Sequence, residues 1–323
     1  MRSRSSVCRL LSAFAVGAFA ACTGDYADLV PKTVDEDPAL PSLELSGTRF
    51  HLETFGTPGN PVVIVLHGGP GADHRSLLPL AALADDGFFV VLWDQRGTGL
   101  SRRHPCEELT ADAYLRDVEA IVDHFARSPS DRVSMVGHSW GAMYATWYTN
   151  EHPERVGPLV LAEPGAFTRA GLDDYFNRFM GSADLTGESF NDSALLARIL
   201  TPDDHARADF DMAQSSTIIT GPLGLDPEHP EPFWRFGAVV SSCLADTAGN
   251  FDWTTNLSRY TGDALFIHGE RNQVHTVEHQ QALAAFYPRA EVVTIPGVGH
   301  DMFSAAPAAS LDLVRSHLLE VQP

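Results

Sequence analysis

The sequence predicts an α/β fold, a mainly parallel sheet with helices on both faces and an inserted helical cap. Three observations carry this. Continuous apolar runs, Pro61 to Leu66 and Phe88 to Trp93 among them, read as strands buried on both faces. Such runs alternate with helix-compatible stretches, the pattern of parallel strands joined by crossover helices. The alternation is lost from Ala166 to about Arg259 and then resumes, which marks an insertion.

Leu43 to Gly56 alternates apolar and polar residues around Gly47 and predicts a first hairpin. After the Pro61–Leu66 strand and the His67-Gly68-Gly69-Pro70-Gly71 segment, a helix is expected over about Arg75 to Ala84. The Phe88–Trp93 strand runs into Asp94-Gln95-Arg96-Gly97-Thr98-Gly99-Leu100-Ser101. Thr110 caps the next helix, on which Tyr114, Leu115, Val118, Ile121, Val122 and Phe125 recur at helical spacing. Val133 to Val136 is a strand, Ala142 to Asn150 a helix and Gly157 to Ala162 another strand, closing on Glu163. Beyond the insertion come a strand over Asp263 to His268, a helix over about Val277 to Phe286, a strand over Glu291 to Ile295 and a helix over about Ala308 to Leu319. The expected division is a leader over 1–21, a solvated tether over 22–42, a core over 43–165 and 260–323, and a helical cap over 166–259.

With 323 residues, 44% hydrophobic and 20% charged, the chain has enough apolar material for one large core. No apolar run reaches the roughly 20 residues of a membrane-spanning helix. A formal net charge of −20 argues against nucleic acid or an anionic membrane as partner. Contact with a membrane is expected only through an N-terminal lipid. Arg2, Arg4 and Arg9 precede a short apolar stretch, Leu10 to Ala21, as in an export signal. The signal ends Phe19-Ala20-Ala21-Cys22, which resembles a bacterial lipobox with Cys22 as the lipidated residue. The alternative is ordinary cleavage near Ala18-Phe19-Ala20, releasing a soluble protein. The expected location is therefore the bacterial cell envelope, lipid-anchored, or else secreted or periplasmic. Cys106 and Cys243 remain, as a disulfide in an oxidising compartment or as two buried thiols.

Gly137-His138-Ser139-Trp140-Gly141 lies between a strand and a helix, the context that G-x-S-x-G requires. A nucleophile lifted above a sheet needs a sharp turn, and the flanking glycines let the two backbones approach. Ser139 would stand clear of the backbone, and the Trp140 N–H would point at the reacting oxygen.

Four motifs in this order resemble the α/β-hydrolase superfamily, and within it the proline iminopeptidase-like serine peptidases and their exported relatives. They are HGGPG at His67–Gly71, DQRGTGLS at Asp94–Ser101, GHSWGA at Gly137–Ala142 and GVGHD at Gly297–Asp301, with HPERV at His152–Val156 as a weaker fifth. The resemblance implies Ser139 as nucleophile, His300 as its base, and an oxyanion hole from the N–H groups of Gly69 and Trp140. Arg96 is expected to tie loops together, and His67, His138 and His268 to support them. The acid that orients His300 is expected to be Glu163, with Glu270 and Asn272 as the alternatives. The family carries it after the seventh strand, three places past a glycine, where this chain has Asn272. Glu163 ends the sixth strand, from which haloalkane dehalogenases supply theirs, and Glu270 lies next to the usual site.

Proline iminopeptidases hold a free amino group with cap glutamates. The segment Pro232-Phe233-Trp234-Arg235-Phe236-Gly237 keeps the aromatics but has Arg235 and Gly237 where an acid would be sought. Asp173, Asp174, Glu228 and Glu231 are other sources of negative charge. The expected function is an exported serine hydrolase, an aminopeptidase acting on a small molecule or short peptide with a free amino group. An esterase or lactonase is the alternative, and a non-catalytic binding lipoprotein the third reading. No metal cluster, dinucleotide fingerprint or phosphate loop is legible, and no cofactor is expected.

Overall fold

The computed structural model describes residues 26–128, 130–182, 204–216 and 222–320. The expected signal, the lipobox and Cys22 lie outside them. No described helix is long and apolar enough to cross a membrane.

The fold is an open sheet of eight strands, β1 (Ser42–Leu45), β2 (Thr48–Phe55), β3 (Val62–Leu66), β4 (Phe89–Trp93), β5 (Val133–His138), β6 (Val156–Ala162), β7 (Ala264–Gly269) and β8 (Ala290–Ile295). Their spatial order is β1-β2-β4-β3-β5-β6-β7-β8. The first two pairings are antiparallel and the rest parallel. The β1–β2 hairpin turns at Ser46 and Gly47, both at positive φ (51° and 73°), which suits the right-handed twist of the flanking strands.

Successive residues of β3 feed opposite cores. Val63 and Val65 face a cluster with Leu77, Leu80 and Val314. Ile64 and Leu66 face another with Val118, Tyr144 and Trp147. Each such burial contributes about 1.5–3 kcal/mol, so the central strands are locked in register by both faces.

Helices α1 (Ala111–Phe125) and α2 (Trp140–Glu151) cover the second cluster. The Thr110 hydroxyl accepts the Ala113 N–H at 3.2 Å and starts α1. Between β6 and β7 lie α3 (Arg169–Ser182), α4 (His205–Ser216) and α5 (Val240–Ala248). After β7 come α6 (Val277–Ala284), α7 (Met302–Ala305) and α8 (Pro307–Glu320). Cys106, just before α1, is bonded to Cys243 of α5 with Cα atoms 5.3 Å apart.

Two expectations need correction. The helix anticipated over Arg75–Ala84 is a 3-10 helix over His74–Asp86 with Pro79 inside. Proline has no N–H to give an α-turn. Residues 26–41 are not a solvated tether: Thr33 and Val34 are buried, and the Val34 N–H donates to Leu100 O at 2.8 Å. Asp35 pairs with Arg102 at 2.6 Å, and Pro31 O accepts from Arg235 Nη1 of the cap at 2.8 Å.

Candidate active site

Ser139 tops β5 and begins the turn into α2 with φ 57° and ψ −121°. Few non-glycine residues adopt this left-handed geometry, and it is held by the Ser139 N–H donating to Ala162 O at 2.8 Å. A Cβ at Gly137 would fall 2.6 Å from Ala142 Cα, and one at Gly141 would overlap the Leu66 carbonyl. The glycines are therefore required by backbone contact. Trp140 is the first residue of α2, so its N–H belongs to the unpaired amides of a helix start. Its indole Nε1 donates to Gln95 Oε1 at 2.9 Å.

The HGGPG loop lies against this turn. A Cβ on Gly68 would sit 3.1 Å from that of Ser139. Gly69 has φ 119°, and any side chain there would strike the backbone of Gly71 and Ala72. His67 holds the loop from beneath: its Nε2 accepts the Gln95 N–H at 3.0 Å. Burial pushes the His67 pKa down to about 4 and keeps the ring neutral.

His300 sits past β8, its N–H donating to Leu223 O at 2.9 Å. Its Nδ1 lies 2.6 Å from Glu163 Oε2. Of the three residues considered for the acid, Glu163 is the one in contact with His300. Glu163 ends β6 at a positive φ of 47° and is fully buried. Its Oε1 accepts the Gly269 N–H at 2.8 Å and its Oε2 the Asn272 amide at 2.7 Å. Asn272 thus touches Glu163 rather than His300. Glu270 is turned away: its Oε2 accepts the Gly297 N–H at 2.8 Å. Burial alone would lower the His300 pKa. The Glu163 hydrogen bond and charge, with Glu231 and Asp301, outweigh it and hold the pKa above the ordinary imidazole value.

His138 Nε2 meets His300 O at 2.7 Å, and burial pushes the His138 pKa down to about 3. It braces the loop that carries His300. The cap reaches the same place. Glu231 Oε1 lies 3.9 Å from His138 Nδ1, its side chain 20% exposed and hydrogen-bonded to Ser76. Burial, partly offset by the Ser76 hydrogen bond and the His300 charge, raises its pKa. Asp173 and Asp174 instead pair with Arg169 and Arg178 on the surface of α3.

Arg96 ties loops together, with Nε and Nη2 each 2.7 Å from the Asp117 carboxylate and Nη2 3.1 Å from Ser46 O. The sequence reading missed the hub beside it. Asp94 accepts from His51 Nδ1 at 2.8 Å, His74 Nδ1 at 2.7 Å, and the N–H groups of His74 and Leu100. Burial opposes the Asp94 charge, but the His74 cation and both imidazole hydrogen bonds hold its carboxyl well below the usual range. Burial likewise opposes the His74 charge, and Asp94 with Glu53 lifts its pKa to about 9. His275 was missed too; an imidazole three places past Asn272 is the one signal that pointed to it. A cleft of about 500 Å³ at the opposite, N-terminal ends of the central strands, lined by Val62, Val133, Gly157 and Asp263, contains none of these residues.

A mainly parallel sheet with an elbow serine after β5, and a histidine–carboxylate pair carried past β8 and β6, defines an α/β hydrolase. The chain belongs to the alpha/beta hydrolase fold family, whose profile matches residues 61–307. It is similar to proline iminopeptidases. It is 23% identical over 292 residues to proline iminopeptidase PfmaB of Pestalotiopsis fici, covering 85% of this chain and 98% of that one. It is 31% identical over 118 residues to the proline iminopeptidase of Clostridioides difficile (strain 630), covering 36% of this chain and only 39% of the relative's length. Among solved structures, epoxide hydrolase A of Mycobacterium thermoresistibile superposes with a TM-score of 0.64 at 21% identity, over 87% of this chain and 98% of that one.

Proposed function

We propose that the protein is a serine hydrolase that cleaves amide or ester bonds through an acyl-enzyme, and that it acts as an aminopeptidase. The observation that carries the reading is the 2.6 Å contact of His300 Nδ1 with the buried Glu163 carboxylate, on strand ends beside the elbow that bears Ser139. A serine hydroxyl needs such a base to become nucleophilic. Ser139 Oγ attacks the carbonyl carbon and His300 Nε2 takes its proton. Glu163 accepts from Nδ1 and stabilises the imidazolium. The oxyanion is met by the N–H groups of Trp140 and Gly69. His300 then protonates the leaving amine or alcohol. Water, giving its proton to the same imidazole, releases the acid and restores Ser139.

The aminopeptidase reading draws on Glu231, a carboxylate of the cap facing His300 and His138. A free ammonium group gains from a carboxylate in a site shielded from water, whereas an anionic substrate is repelled. Export and a lipid at Cys22 belong to the same proposal. The Cys106–Cys243 bond supports an oxidising compartment.

The test uses protein lacking residues 1–22, with Ser139→Ala as control. Prolyl and alanyl naphthylamides are compared with their N-acetylated forms and with short p-nitrophenyl esters. Hydrolysis that requires a free amino group is the expected result. Ester hydrolysis without any aminoacyl-amide hydrolysis would replace the peptidase by an esterase. Activity retained by Ser139→Ala would remove the mechanism.

A further inference from the structure

We propose that Asn272 and His275 are a positioning pair for the Glu163–His300 couple: the asparagine supplies donors where an acid would not, and the second histidine is a flat, uncharged wall for the base. The proposal rests on the Ser139–His300–Glu163 reading and deepens it.

The side-chain amide of Asn272 has only one orientation that satisfies its neighbours. Its Oδ1 accepts the N–H groups of Val274 and His275, both at 3.0 Å. Its Nδ2 must then face Glu163 Oε2 at 2.7 Å and His275 Nδ1 at 3.1 Å. An amide is needed for this, because it presents an acceptor at one end and donors at the other. An aspartate would meet the local N–H groups equally well. Toward Glu163, however, it would offer only a second acceptor.

The same contact settles His275. Its Nδ1 accepts from the Asn272 amide, so the ring's proton is on Nε2. The ring is buried and lies parallel to that of His300, with centroids 4.6 Å apart and planes 5° apart. Burial, and then the charge of His300, push the His275 pKa well below the ordinary value. A neutral ring stacked on an imidazole that becomes cationic during turnover costs nothing in repulsion and offers its π-face. His300 is thereby held at two places, by Glu163 through Nδ1 and by His275 across its plane. Glu163 is held by Gly269, Asn272 and His300 in a backbone conformation that glutamate rarely adopts. Asn272 is the member that joins both, through Glu163 Oε2 and His275 Nδ1.

The other titratable groups facing this cluster are His138 from β5, Glu231 from the cap, Asp301 beside the base, His268 from β7, His279 from α6, and Tyr175 and Arg178 from α3. All are unchanged in the variants below, so a shifted profile reports the altered position.

The test is the pH dependence of kcat/KM for Asn272→Asp, with kcat and KM resolved at the plateau and Tm recorded. A second carboxylate raises the pKa of His300, and where the two carboxyls share a proton, that proton must leave before Glu163 can stabilise the imidazolium. Both effects act in one direction, because the base must be neutral. The acid limb is expected to move to higher pH by about one unit or more, with KM little changed. His275→Ala should lower kcat by about tenfold or more at unchanged KM, and His275→Phe, which restores a flat ring, should recover most of it. Superposable pH profiles for Asn272→Asp and wild type would overturn the proposal, as would a wild-type kcat in His275→Ala. If Asn272→Asp fails to fold, Asn272→Ser replaces it. That variant keeps a single donor, so its acid limb should stay in place with a lowered kcat; a wild-type kcat would overturn the pairing. Full activity in Ser139→Ala or Glu163→Gln instead overturns the underlying triad, so the two failures are distinguishable.

Discussion

Asp73 Oδ2 accepts the backbone N–H of Trp234 at 2.7 Å. A carboxylate just past the Gly69–Gly71 loop therefore holds the cap over the loop that faces Ser139. The Arg235 N–H joins it at 3.0 Å, and the Gly237 N–H donates to Gly71 O at 2.7 Å. The cap and the His67–Gly71 loop share one hydrogen-bonded seam.

The seam has a pH dependence. Burial and the Asp94 charge, resisted by three backbone N–H groups, raise the Asp73 pKa to about 7. A carboxyl whose folded pKa exceeds its unfolded value contributes stability that is full below about 4 and lost as pH rises through 7. Asp73→Asn keeps an acceptor for the cap and removes the titration. Its loss of Tm between pH 5 and pH 8 should be smaller than that of wild type. Equal losses would show that Asp73 does not titrate in this window.

The proposed orienting role of Glu163 is tested by Glu163→Gln. Turnover should fall by about 100- to 10,000-fold with the fold intact. Without the Glu163 charge the raised pKa of His300 drops, so the acid limb of the residual kcat/KM should move to lower pH, opposite to Asn272→Asp. Near-normal turnover would eliminate Glu163 as the orienter.

Substrate choice is tested by Glu231→Gln. KM for a free aminoacyl-naphthylamide should rise by about tenfold or more, while ester hydrolysis is little affected. A parallel loss on both substrates would assign Glu231 to bracing the site rather than to recognising an amine.

The disulfide is tested by Cys106→Ser/Cys243→Ser. The bond closes a sequence separation of 137 residues between the core and α5. Removing a cross-link over so long a loop costs about 2–5 kcal/mol, and the double variant should melt several degrees lower. An unchanged Tm in oxidised and reduced protein would mean that the cap is held by its other contacts.

The central strands and the elbow were legible because their signals are local. Val62–Leu66 is apolar throughout, and Gly137 and Gly141 bracket Ser139 within five residues. Glu163 was legible as one of three choices, but its selection depends on a side chain crossing 137 residues to His300. The Asp94 hub was not legible, since His51 lies on an antiparallel strand 43 residues away and nothing in its surroundings announces a partner. Residues 26–41 read as solvated because they are rich in Asp, Glu and Pro. Those charges are instead spent on Arg102 and Arg235, which the sequence could not pair.

Arg235 gathers three parts of the chain. Its Nε lies 2.7 Å from Asp209 Oδ2 of α4, its Nη1 reaches Pro31 O, and its backbone is held by Asp73. The segment ahead of the sheet is thus a clasp on the cap. The functional boundary of the folded unit consequently lies before Pro31, and a fragment begun at Ser42, with every strand present, would be a hydrolase core with its cap unlatched at one side.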